Sequence, residues 1–68
     1  NLYVKRMNSA NRVYETLNTF DKQLYDLHFF EGLSQRSIAR GINVHHNIIN
    51  KKINIIKSKI KLDYDQNN

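Results

Sequence analysis

Apolar residues recur at helical spacing along almost the whole chain, and the interruptions divide it into four segments. Tyr3, Met7, Ala10, Tyr14 and Leu17 follow one another in steps of four and three, with Val13 beside them, which predicts a first helix over 2–17. Lys5, Arg6, Asn8, Asn11, Arg12 and Glu15 fill the remaining positions. This helix is expected to lay its stripe over the rest of the domain, although the same stripe suits docking on a partner protein. Asn18-Thr19 breaks the pattern and supplies an N-cap. Phe20, Leu24, Leu27 and the Phe29-Phe30 pair then form a second helix that closes at Glu31-Gly32, with Tyr25 and Phe29 as a further i, i+4 pair. Apolar on two faces, it is expected at the centre, holding most of the aromatic mass of the core.

The segment 32–53 carries the strongest local signals. Ser34 is a good N-cap, and Leu33 and Ile38 sit at the spacing of a hydrophobic staple around it. Ile38 and Ile42 share an inner face over about 34–41, and Ala39 is small enough for another helix to cross closely. Gly41-Ile42-Asn43 ends that helix, Asn43 tolerating the left-handed conformation of a tight turn. Val44 and Ile49 repeat the staple spacing around His45, and a fourth helix runs over about 45–62. Its stripe is Ile49, Ile53, Ile56 and Ile60, with His46, Asn47, Asn50, Lys51 and Asn54 on the other side. Ile48, Ile55 and Leu62 make a second apolar line spaced by sevens, expected to lie under the first helix or, failing that, to serve as a dimerisation or docking seam. Residues 63–68 are expected to be a polar, frayed tail. The fold class is therefore all-α, a single small four-helix domain containing a helix-turn-helix.

Charge adds direction to this outline. Residues 1–32 hold Lys5, Arg6, Arg12 and Lys22 against Glu15, Asp21, Asp26 and Glu31. Residues 33–62 hold Arg36, Arg40, Lys51, Lys52, Lys57, Lys59 and Lys61 and no acid at all. The positive field therefore belongs to the third and fourth helices, as phosphate binding requires, although a long solvated lysine face has the same composition. In a helix-turn-helix the first helix crosses the sugar-phosphate backbone, where Arg36 and Arg40 share a face. Asn pairs with adenine, and Lys donates to guanine or phosphate, so the polar side of the fourth helix suits base reading.

Other chemistry finds little support. The chain has no cysteine, which removes disulfides and thiolate metal sites, and no proline and only two glycines, which favours helices with short connections. No Ser/His/Asp set has a nucleophile spacing, and no glycine-rich phosphate loop is present. His45 and His46, taken as neighbours on a helix, point about 100 degrees apart and do not chelate one metal easily. No enzymatic activity, metal or cofactor is expected. No apolar run has the length of a membrane span, and a cytoplasmic location is expected. The chain begins at Asn1 rather than methionine, as a piece of a longer protein would.

The stretch Leu17-Asn-Thr-Phe-Asp-Lys-Gln-Leu-Tyr-Asp-Leu-His-Phe-Phe-Glu-Gly-Leu-Ser34 resembles the start of region 4 of bacterial sigma-70-type factors. Ile38-Ala39, Ile42 and Val44-His45 continue that family's Ile-Ala-x-x-Leu-Gly-Ile-Ser pattern without a gap. Ile48-Ile49 fall on its Thr-Val pair, and Ile53, Ile56 and Ile60 on its later apolar positions. The resemblance covers about residues 17–60 and extends to the wider tetrahelical group that includes LuxR-type regulators. It implies binding to the −35 element of promoters in double-stranded DNA, in a sigma factor or a sigma-like regulator of a phage or mobile element, with RNA polymerase as a second partner. Carried over by position, His46, Asn47, Asn50 and Lys51 face the DNA and read bases; from the placement of charge, Arg36, Arg40, Lys51, Lys52 and Lys57 are expected to engage phosphates. The family's arginine and glutamate readers are here His46 and Asn47, so a different DNA sequence is expected. His45 stands where the family has a Ser N-cap, a weaker cap unless its imidazole accepts a backbone hydrogen bond. Three alternatives stay open: a LuxR-like homodimer using the line of Ile48, the DNA-binding module of a recombinase, transposase or terminase, and a protein-protein adaptor.

Overall fold

A computed structural model describes residues 2–67, and the side chains of residues 4–67. The described residues form four helices and no strand: α1 (Leu2–Thr16), α2 (Thr19–Tyr25), which runs on into a π-helical turn (Asp26–Phe30), α3 (Gln35–Ile42) and α4 (His46–Asn67). The expected all-α class and the order of the helices are as read from the sequence. The boundaries follow from local chemistry. Asn18 caps α2, its Oδ1 accepting the Asp21 N–H at 2.8 Å, and Ser34 caps α3, its Oγ accepting the Ser37 N–H at 3.1 Å. Gly32 takes φ +75°, which lets the chain leave the π turn without the steric penalty a Cβ would bring.

The longest element sets the shape. At 1.5 Å per residue the 22 residues of α4 span roughly 33 Å, close to the 37 Å long dimension of the molecule. Its stripe is buried as its periodicity predicts: Ile49, Ile53 and Ile56 are at most 1% exposed. Two apolar clusters hang on that stripe. Ile49 and Ile53 pack with Leu24, Ile38 and Ala39, flanked by Phe20, Leu27, Ile42 and Val44. Ile56 packs with Val13 and Leu17 of the α1 end, flanked by Tyr25 and Ile60.

Four expectations are corrected. The first concerns the rotation of α1. Val13, and Leu17 just past the end of α1, are buried, but the other buried residue of the helix among the described side chains is Ser9, while Met7 is 47% exposed and Ala10 and Tyr14 are half-buried. Tyr3 lies outside the described side chains. A small residue sits where α1 meets α4, and its hydroxyl is satisfied there by Arg12 Nη2 at 3.2 Å. Arg12 in turn clamps Asp63 of α4 with contacts of 2.6 and 3.0 Å, fixing the rotation by hydrogen bonds that an apolar count does not register.

The second correction is the π turn. The Glu31 N–H donates to the Asp26 carbonyl, five residues back, at 2.9 Å, and the Leu33 N–H donates to the Leu27 carbonyl at 3.0 Å. This wider winding turns the Phe29-Phe30 pair off the inner stripe, so Phe30 is 86% exposed and Phe29 lies at the surface. The aromatic mass expected inside the core is instead a peripheral ladder: Tyr14 against Tyr25 and Tyr25 against Phe29, each with ring centroids 5.0 Å apart. Third, α4 continues through Asn67, past the expected end at 62; the Arg12–Asp63 clamp lies in this extension. Fourth, α1 does not cover Ile48, Ile55 and Leu62, which stay 49%, 49% and 58% exposed, because α1 packs on the Ile56 and Ile60 side of α4.

Candidate nucleic-acid interface

The α3–α4 junction is built from backbone geometry that the residues themselves select. Asn43 adopts the left-handed conformation (φ 56°, ψ 48°), and its N–H and that of Val44 both close on the Ala39 carbonyl. Val44 then packs against the cluster that holds Ile49, as the staple spacing predicts. His45 precedes α4 and caps it: its Nδ1 accepts the Asn47 N–H at 3.1 Å, which requires an unprotonated Nδ1. The cap expected to be weak is thus made by the imidazole itself. Because His45 lies outside the helix, the two imidazoles do not diverge by 100 degrees; they stack, with centroids 4.8 Å apart and planes 23° apart. Among the described residues no group of three or more His, Cys, Asp or Glu is placed to hold a metal.

The residues singled out from the sequence divide into three places. Arg36, Arg40 and His46 line one hollow with Asn43 and His45, where the exposed face of α3 meets the start of α4. Asn47, Asn50 and Lys51 line a second, open groove along the outer side of α4. All six candidates are exposed, and consecutive residues line the two hollows, His46 the first and Asn47 the second. Neither Arg36, Arg40 nor Lys51 has an ion-pair partner among the described residues.

Lys52 and Lys57 stand apart from that surface. Lys52 turns back onto α2, its Nζ 3.5 Å from Asp21 and 5.4 Å from the centre of the Phe20 ring. Lys57 lines a cleft between α1, α2 and α4 with Arg6, Tyr25, Phe29 and Ile60. It follows His46 by eleven residues, roughly 16 Å along the helix axis. Conversely, the structure adds Asn54 to the outer groove, its Nδ2 making a long 3.4 Å contact to Asn50 Oδ1. The i, i+4 spacing of the two asparagines was the available signal for that pairing.

Among the described residues no helix is long and apolar enough to cross a membrane. The chain matches no model of a known protein family, no curated protein and no solved structure.

Proposed function

We propose that this domain binds double-stranded DNA as a helix-turn-helix, laying the first turns of α4 in the major groove while α3 crosses the sugar-phosphate backbone. The observation that carries this reading is that Arg36 and Arg40, without an ion-pair partner among the described residues, line one hollow with His46 at the exposed start of α4. A segment of thirty residues without an acid surrounds them. Arg36, Arg40 and Lys51 engage phosphates, which position the protein without reading sequence. His46, Asn47 and Asn50 read base edges, each good bidentate pair being worth about 1–3 kcal/mol of discrimination, and Lys51 divides its donors between guanine and phosphate. Lys52 and Lys57 are left out of this set on their geometry.

The resemblance to region 4 of sigma-70-type factors makes promoter recognition, with RNA polymerase as the second partner, the reading we favour within DNA binding. One observation favours a second reading. The uncovered line of Ile48, Ile55 and Leu62 suits the homodimer seam of a LuxR-like regulator, which sedimentation at micromolar concentration would reveal. The test of DNA binding is selection from a random duplex pool at moderate salt, alone and with core RNA polymerase. An asymmetric enriched motif supports the sigma-like reading and a palindrome the dimer. No enrichment under either condition removes DNA binding as the function.

A further inference from the structure

We infer that Ile48 is a base-reading residue, its side chain packing on the C5-methyl group of a thymine in the major groove. This inference rests on the DNA-binding reading above and adds to its polar readers an apolar one. Ile48 is 49% exposed and belongs to neither of the apolar clusters that bury Ile49, Ile53 and Ile56. The fold therefore gains nothing evident from an isoleucine here. Its backbone is well placed: the Ile48 N–H donates to the His45 carbonyl at 3.0 Å, in the turn that the His45 imidazole caps. A β-branched side chain in a helix has one strongly preferred χ1 rotamer, so its terminal carbons are set in advance of contact.

Direction supplies the second step. Every Cα–Cβ bond in a helix tilts towards the N-terminus, so His46, Asn47 and Ile48 together ring the leading end of α4. A recognition helix brings its N-terminal residues to the base edges. Asn47 and Lys51 line the outer groove of α4 together with Ile55, which lies about two turns beyond Ile48 on nearly the same face of the helix. On those edges the thymine methyl is the apolar group, and one A·T pair displays it beside the adenine N6 and N7 that an asparagine recognises. Asn47 and Ile48 are thus complementary readers of one A·T pair or of two adjacent ones. Ile55 and Leu62 do not share this role, lying roughly 10 and 21 Å further along the helix axis.

The experiment replaces each thymine of the selected duplex in turn by uracil, which removes only the methyl group, and measures affinity for the unaltered domain and for Ile48→Ala. The unaltered domain loses affinity about fourfold at one thymine, the worth of one buried methyl-sized group. Ile48→Ala binds the thymine duplex more weakly and shows no further loss at that position, while its melting temperature stays near that of the parent. Uracil penalties that persist in Ile48→Ala, or a parent domain indifferent to uracil everywhere, overturn the inference alone. A selected motif without thymine does the same. A pool with no enriched sequence, with or without polymerase, overturns the DNA-binding reading and this inference with it.

Discussion

Ile53→Ala and Ile55→Ala are the same chemical change two residues apart on one exceptionally long helix, and burial makes them very different. Ile53 is fully buried against Leu24, Ile38 and Ala39, whereas Ile55 is 49% exposed. Both replacements gain the same few tenths of a kcal/mol of helix propensity, so that contribution cancels in the comparison. At position 53 the loss comprises the transfer free energy of the removed carbons and the cavity they leave, about 2–5 kcal/mol for Ile→Ala. A domain of this size has roughly 3–10 kcal/mol of total stability, so this one change removes a large share of it. At about 4–8 °C of melting temperature per kcal/mol, a loss near 3 kcal/mol lowers the midpoint by about 12–24 °C. Ile55→Ala should stay within about 0.5 kcal/mol of the parent, as surface changes do. Thermal and urea unfolding followed by far-UV circular dichroism measure both. Equal shifts for the two variants would refute the assignment of which face of α4 is covered, and with it the packing of α2 and α3 on that face.

Other perturbations test the junctions, the clamp and the surface. Gly32 has φ +75°, so Gly32→Ala should destabilise by about 1–2 kcal/mol; Gly41→Ala, at an ordinary φ with open space around the new methyl, should instead be neutral or stabilise by up to about 1 kcal/mol. The hydrogen bond from Arg12 holds the Asp63 carboxyl below its ordinary pKa, partly opposed by desolvation. A folded-state pKa below the unfolded one means that the clamp contributes fully above the ordinary carboxylate value of about 3.9, and its contribution is lost as pH falls through the folded value. Asp63→Asn should therefore lower the melting point at neutral pH and lose less than the parent between pH 5 and strong acid; identical acid limbs would show the clamp to be idle. In duplex binding, Arg40→Ala should weaken cognate and random DNA alike and reduce the salt slope by about 1, whereas Asn50→Ala should relax sequence preference by the equivalent of about 1–3 kcal/mol. Equal losses on both duplexes in both variants would sink the division of roles.

The four helices and their joints were legible in the residues because the signals are local. Asn18 and Ser34 cap the turns that follow them, Asn43 and Gly32 take the left-handed conformations that end helices, and the Ile49, Ile53 and Ile56 stripe is buried in register. A periodicity of 3.6 residues fixes which side chains share a face of one helix. It does not say which face meets a neighbour. That depended on tertiary contacts: the small Ser9 and the Arg12–Asp63 clamp chose the rotation of α1, and the choice left Ile48, Ile55 and Leu62 in water. A backbone hydrogen bond five residues long turned Phe29 and Phe30 outward, against an α-helical count that placed them inside. The candidate site divides the same way. The residue types of Arg36, Arg40, His46, Asn47, Asn50 and Lys51 were readable in order, as a basic, acid-free stretch. That Arg36 and Arg40 line one hollow with His46, while Lys52 turns to Asp21 and Lys57 to the cleft beside Tyr25, was decided by how α4 lies against α3, α2 and α1, since like charges spaced along a helix point wherever their turn of the helix carries them.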